Sequence, residues 1–350
     1  MNFAEEVEQR INNMAKPPGS LGIWEKQIRK VFLAWGHFEK KLNPVHLIFA
    51  ADNGVVRSGI VQQLPEITYM QSKHMVEGSA AVSCFCRCND IPWQVVDVGI
   101  DHEEAVGINY KVARGTKDFS VEPAMTKEEL NKALRAGQNM VYWAKEKGYN
   151  FLSFGEMGIG NTTTSAAVLT AIAPPNAAFL VGYGSAQGNY SQVLQKREIV
   201  SKGIKRYAPQ IHTAADAIRY VGGFDLAALC GAMLACREHQ LPFYIDGFIT
   251  AVALACAVQL NPEVRNYSLP SHMSRESGMG MALRMAGIDE YEVPIHAEMA
   301  LGEGTGAVLA SVILRSVLYA VTNMATLSSI NREAEAVAQE KSHSIINKEK

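Results

Sequence analysis

The sequence lacks an excess of charge of either sign: 33 lysines and arginines face 35 aspartates and glutamates in 350 residues. Such balance supplies no general field for DNA, RNA or an anionic membrane, although a local cluster can still hold a phosphate. An apolar N-terminal run is missing too. Met1-Asn-Phe-Ala-Glu-Glu is acidic at once, which does not fit a secretory signal. No apolar stretch runs unbroken for the roughly 20 residues that a spanning helix needs. Pro174-Pro175 breaks one, and Arg315 sits inside residues 307–321. A cytoplasmic, soluble protein is expected. Cysteine is sparse for this length, with six residues at 84, 86, 88, 230, 236 and 256. That excludes a dense disulfide framework. The one-residue gaps of Cys84-Phe-Cys-Arg-Cys88 are too short for a zinc site, and no His-rich segment follows. Reduced, mostly buried thiols and no metal are expected. Internal repeats and low-complexity linkers are also missing.

What is present is a 48% hydrophobic chain, enough for one large domain with a smaller appendage. Short β-branched or apolar runs alternate with longer helical ones. Strands are expected at His46–Ala51, Gln94–Val98, Phe151–Phe154, Ala178–Val181, Phe243–Ile245 and Val264–Ser268. Helices are expected at Lys127–Lys147, Gln192–Tyr207, Asp225–His239 and Ile249–Gln259. Several strands end directly in Gly or Asp (Gly99, Gly155, Gly182, Asp246), as in βα units. This order predicts an α/β fold: a doubly wound, mainly parallel six-stranded sheet. Glu5–Asn13, Trp24–Glu39, Ala307–Leu327 and Glu333–Lys341 read as helices of a small helical domain formed by both ends of the chain. The expected division is 1–40 with 307–341, a large Rossmann-like domain at 41–306, and a frayed tail at 342–350. In such sheets ligands sit beyond the carboxyl ends of the strands.

The richest segment is Phe154-Gly-Glu-Met-Gly-Ile-Gly-Asn-Thr-Thr-Thr164. A strand ends, a glycine turn follows, and Asn161 or Thr162 can cap a helix whose N-terminus attracts a phosphate. It is neither the dinucleotide Gly-x-Gly-x-x-Gly nor a Walker loop. A carboxylate repels phosphate, so Glu156 suits a ribose or a basic acceptor atom. In Leu301-Gly-Glu-Gly-Thr-Gly306 the flanking glycines present Glu303 alone at a helix start. It can be a general base if burial raises its pKa, or can simply complement the helix dipole. Gly182-Tyr-Gly-Ser185 is a second glycine turn, and Lys196 on the next helix can neutralise a phosphate or be solvated. Asp225 reads equally as an N-cap. Ser271-His-x-Ser-x-Glu276 gathers polar groups after the last strand, where His272 is more simply a structural histidine than a catalyst.

These residues resemble the nicotinate-nucleotide–dimethylbenzimidazole phosphoribosyltransferase family. The matches are Lys16-Pro-Pro-Gly-Ser-Leu-Gly22, Ala51-Asp-Asn-Gly54, residues 155–163, Gly222-Gly-Phe-Asp225, Asp246-Gly-Phe-Ile249, Ser271-His-Met-Ser-Arg-Glu276 and residues 301–307. They keep the family's order from end to end. The resemblance implies transfer of phosphoribose from nicotinate mononucleotide to an aromatic base without metal or cofactor, giving an α-ribotide for cobamide synthesis. It places the base on Glu303, and Glu156 and Lys196 at the ribotide. Met157, Gly158, Ile159, Gly160, Asn161, Thr162, Thr163, Gly182, Gly184, Ser185 and Ser274 would surround sugar and phosphate. Val61, Tyr69 and Leu301 would wall the acceptor. A dimer with active sites near its interface is implied as well.

Departures from the family's pattern lie at Val61 for Ser, Tyr69 for Gln, Ala300 for Arg and Ser185-Ala186 for Thr-Gly. An apolar wall without glutamine would favour phenol or p-cresol over dimethylbenzimidazole, by the chain alone or beside a paralogous subunit. Two other readings stand beside the transferase: a weakly active partner subunit in such a pair, and a nucleotide-binding oxidoreductase, which the missing dinucleotide fingerprint disfavours.

Overall fold

The computed structural model describes residues 2–60, 63, 64, 66–174, 181, 182 and 190–346, and side chains at 341 and 343 but not at 342 or 344–346. The chain divides into two compact units: Met1–Leu42 with Ile313–Lys350, and Asn43–Val312. The sequence pattern alone puts these borders near 40 and 307.

Six strands form one all-parallel sheet: β1 Pro44–Ala51, β2 Trp93–Gly99, β3 Ile108–Asn109, β4 Phe151–Met157, β5 Phe243–Ile245 and β6 Ser268–Pro270, in the order β3-β2-β1-β4-β5-β6. All eight residues of β1 are buried, as a central parallel strand covered on both faces requires. Val45, Leu47, Phe49 and Ala51 enter the larger core, Ile48 and Ala50 the smaller one. His46 shares the second face. The sheet reverses direction of winding between β1 and β4, so a crevice opens at their carboxyl ends.

One expected strand starts later than expected, and another lies almost wholly outside the described residues. Ala178–Val181 lies outside the described residues except Val181, which is not in a strand, and the sixth strand is instead the short β3. Val264–Asn266 belong to a 3-10 turn, Pro262–Asn266, capped by the Asn261 side chain, so the strand starts only at Ser268. Proline fixes the backbone of that first turn, and the apolar Val264 is buried from a helical conformation.

Among the described residues thirteen α-helices accompany the sheet. Those of the larger unit are α3 Ile67–Glu77, α4 Ala81–Cys88, α5 Lys127–Glu146, α6 Asn161–Ile172, α7 Tyr190–Tyr207, α8 Ala214–Val221, α9 Phe224–Glu238, α10 Phe248–Leu260, α11 Met279–Met285 and the start of α12 Thr305–Asn323. α5 begins with a reciprocal capping box between Thr126 and Glu129. It lies against α9 so closely that a Cβ on Gly137 would meet the Ala228 carbonyl, and one on Gly231 the Leu134 carbonyl.

The smaller unit holds α1 Phe3–Asn12, α2 Ile23–Trp35, the end of α12, and α13 Leu327–Ile346. α2 ends at Trp35 rather than Glu39 because Gly36 turns left-handed, at φ 72°. α13 runs past residue 341 to Ile346, so the expected frayed tail at 342–350 is helical over its first five residues. α12 is long and apolar enough to cross a membrane, with mean hydropathy 1.6. More than half of that stretch is buried inside the protein, the mark of a core helix. The six cysteines are free and four are buried.

Candidate active site

A cavity of about 1080 Å³ opens at the carboxyl ends of the strands. Residues 156–162 line it after β4, 246–250 after β5, and His272 with 274–277 after β6. Residues 300–303, Gln71 and Gly182 complete the wall.

Glu303 sits in a turn whose backbone is unusual. Gly302, Glu303 and Gly304 are all left-handed, at φ 82°, 64° and 91°. The glycines adopt this freely, whereas Glu303 does so at a cost of about 1–3 kcal/mol. The turn lies flat on the sheet: a Cβ on Gly155 would stand 2.1 Å from the Glu303 carbonyl oxygen. Two imidazoles fill the space that side chains would take, His46 against Gly304 and His272 against Gly306. The spacing of the Gly-Glu-Gly-Thr-Gly motif follows from these three contacts.

The Glu303 carboxylate is 8% exposed. One oxygen accepts a hydrogen bond from Gln71 Nε2 at 2.6 Å, the other from the Val82 backbone N–H at 3.0 Å. Val82 lies in the first turn of α4, so the carboxylate caps that helix from another part of the chain. Asp246, after β5, holds the start of α12: its Oδ1 accepts from the Ala307 N–H at 3.0 Å, with His272 Nδ1 3.7 Å away. Burial pushes the Asp246 carboxyl up, and the His272 charge opposes it.

Glu156 ends β4. Asn161 donates from its amide nitrogen both to Glu156 and, at 3.1 Å, to Asp225. Burial and then the Asp225 charge push Glu156 up to about 8, while burial lifts Asp225 to about 6. Both carboxyls move upward, so the pair holds less than two negative charges at neutral pH. The helix cap differs from expectation. Gly160, at φ 91°, is the N-cap of α6, and neither Asn161 nor Thr162 caps it. The Asn161 and Thr163 N–H groups bond back to the carbonyls of Gly158 and Gly160. Asn161 therefore serves the carboxylates rather than the helix end.

The other expected residues divide. Met157, Gly158, Ile159, Gly160, Asn161, Thr162, Gly182, Ser274 and Leu301 line the cavity with Glu156 and Glu303, Leu301 at an exposed edge. Thr163 is turned into the interior. Lys196 is buried on α7 and is not a lining residue. Burial pushes its ammonium below the usual lysine range against the pull of Glu276, which lines the wall. Val61, Gly184 and Ser185, with the Ser185-Ala186 departure, lie outside the described residues.

Tyr69 is placed away from the cavity. Its ring stacks on His102 at 3.6 Å between centroids, and its hydroxyl donates to Glu104. Two residues along a helix rotate a side chain by about 200°, so Tyr69 and Gln71 leave α3 in opposite directions. Gln71, not Tyr69, stands at the cavity wall and brings a side-chain amide to Glu303. Asp246, His272, Arg275 and Glu276 also join the site without being expected there from the sequence. The first lies within a quoted motif, and the other three share Ser271–Glu276. Gln71 carries no signal in the sequence, being one polar residue on a short helix without a clear apolar face.

The geometry agrees with the comparisons. The phosphoribosyltransferase family model matches residues 1–331. Among curated relatives, the nicotinate-nucleotide–dimethylbenzimidazole phosphoribosyltransferase of Clostridium perfringens is 37% identical over 329 residues, covering 93% of this chain and 90% of that one. Its counterpart from Acetivibrio thermocellus is 36% identical over 324 residues, 91% of each chain. The crystal structure of the enzyme of the same name from Thermus thermophilus superimposes with a TM-score of 0.85 at 31% identity, covering 95% of this chain and 99% of that one. The chain is an enzyme and belongs to the nicotinate-nucleotide–dimethylbenzimidazole phosphoribosyltransferase family.

Proposed function

We propose that the protein transfers the 5-phosphoribosyl group of nicotinate mononucleotide to an aromatic nitrogen base of benzimidazole size, for the lower ligand of a cobamide. The observation that carries this is the buried Glu303 carboxylate, fixed by Gln71 and Val82 on one wall of a cavity that also contains Glu156. An aromatic base entering over Leu301 would lose its N–H proton to Glu303. The free nitrogen pair attacks C1′ as the bond from C1′ to the pyridinium nitrogen breaks, and that pair leaves with nicotinate. The leaving group is already cationic at nitrogen, so it departs without an acid. Positive charge growing at C1′ is stabilised by nearby carboxylates, with Glu156 on the sugar side. Arg275 at the cavity wall and Lys196 behind it are the cations that support a phosphate at the Gly182 and Glu276 end.

Gln71 favours a heterocycle with polar nitrogen, because a buried amide left without a partner is costly. The carboxylates and Lys196 of one chain suffice for the reaction, so a homodimer in the cytoplasm fits better than dependence on a paralogue. The test is the purified chain with nicotinate mononucleotide and either dimethylbenzimidazole or p-cresol, followed by chromatography of released nicotinate. Faster release with the benzimidazole supports this reading. Preference for p-cresol overturns the acceptor assignment, and no release with either overturns the function.

A further inference from the structure

We propose that His46 is a positioning residue for Glu303, setting the direction of that carboxylate through a hydrogen bond to its backbone carbonyl. The inference rests on the reading of Glu303 as the base. His46 lies on β1 and is fully buried. Its Nε2 is 3.0 Å from the Glu303 carbonyl oxygen and its Nδ1 2.8 Å from Ser153 Oγ. Ser153 is its register partner on β4. A carbonyl oxygen only accepts, so Nε2 must carry the proton, and Nδ1 then accepts from the Ser153 hydroxyl. One neutral tautomer satisfies every polar atom in this buried row. Burial pushes the imidazole down to about 4, in keeping with a ring that stays uncharged.

The bond falls on the strained peptide of this turn. Glu303 is the non-glycine member of three successive left-handed residues, and its backbone relaxes unless its surroundings prevent it. Gly155 and Gly304 let the turn approach the sheet, and the imidazole then fastens its carbonyl from beneath. From above, Gln71 and Val82 fasten the carboxylate. Backbone and side chain of a single residue are thus held from opposite ends. A small rotation of the 303–304 peptide would swing the carboxylate away from an incoming base, and errors of about 1 Å at such a group cost on the order of 100-fold in rate.

The plain alternative is a core histidine that serves stability alone, and two substitutions separate the ideas. His46→Leu keeps bulk but has no donor, whereas His46→Gln carries an amide nitrogen near the Nε2 position. In His46→Leu, kcat for nicotinate release should fall roughly 10–100-fold, while KM and calorimetric Kd for nicotinate mononucleotide change less than about threefold. His46→Gln should recover most of the loss. A folded His46→Leu with wild-type kcat would overturn the proposal, as would equal losses in both variants at unchanged melting temperature. If His46→Leu does not fold, Ser153→Ala decides, because it frees the ring without removing it: kcat should drop with donor affinity kept, and unchanged kcat sinks the idea. Nitrogen-15 NMR of the histidine ring checks the arrangement without any turnover. A neutral, Nε2-protonated ring from pH 5 to 8 is expected, and an Nδ1-protonated or titrating ring refutes it. Were the wild-type chain to release no nicotinate, the functional reading would fall, while the NMR result would still judge the His46 arrangement.

Discussion

Gln71 and Glu303 meet at 2.6 Å, amide nitrogen to carboxylate oxygen, from positions 232 residues apart in the chain. The contact fixes which face of the carboxylate stays open to the cavity. Removing the amide by Gln71→Leu should lower kcat/KM for the aromatic acceptor about 10–100-fold. Steady-state kinetics with the acceptor varied at saturating mononucleotide would read this. An unchanged kcat/KM would remove Gln71 from the acceptor site.

Glu303→Gln keeps the shape of the side chain but abolishes its basicity. Loss of a positioned general base costs roughly 10²–10⁴-fold, so nicotinate release should be nearly abolished. Calorimetric Kd for nicotinate mononucleotide should stay within about threefold. Weakened donor binding with normal turnover of the bound complex would mean that Glu303 is a donor ligand, not the base.

Stability should fall as pH rises between about 5 and 8. Glu156 ordinarily titrates at 4.5 and here near 8, so the unfolded chain sheds its proton first. Across that window the native state binds more protons, and each unit of pH costs it about 1.4 kcal/mol until Glu156 ionises. Asp225, raised to about 6, adds to the slope in the lower part of the window. There His46, held down at about 4 against its ordinary 6.5, offsets about as much, so the decline is clearest above pH 6.5. Urea midpoints measured from pH 5 to 8 should decline in the wild type and flatten in Glu156→Gln. A midpoint that rises with pH in this range would contradict the upward shift.

Gly304→Ala should be among the most damaging single-methyl changes in the protein. The new Cβ would stand 2.1 Å from the His46 ring, in a left-handed conformation that alanine resists. A melting temperature lowered by several degrees, together with loss of turnover, is expected. Wild-type values of both would show that the 302–304 turn is not pinned as described.

Much of this is legible in the sequence because chemistry and backbone constraint coincide there. β1 and β5 stand out as apolar runs that end at Asp52 and Asp246, and the glycines around Glu156 and Glu303 announce turns. Where local signals conflict with tertiary context, the sequence misleads. Val264 has the β-branched look of a strand residue, but Pro262 and the Asn261 cap impose a 3-10 turn. β3 is two residues long, below any periodicity. Asn161 has the composition of a cap, yet two carboxylates claim its amide. Tyr69 and Gln71 are both polar-tipped residues on α3, and only the rotation of the helix decides which of them faces Glu303.

Every wall of the cavity comes from a different stretch of chain: residue 71, then 156–162, 182, 246–250, 272 with 274–277, and 300–303. A pocket stitched from such distant pieces does not exist until the long-range pairing of β1, β4, β5 and β6 is finished. Occupancy by the mononucleotide therefore acts as a fastener on the whole sheet. At 100 times its Kd the donor should add about 2.7 kcal/mol to unfolding, and no proteolytic fragment that lacks one of these stretches should retain the affinity.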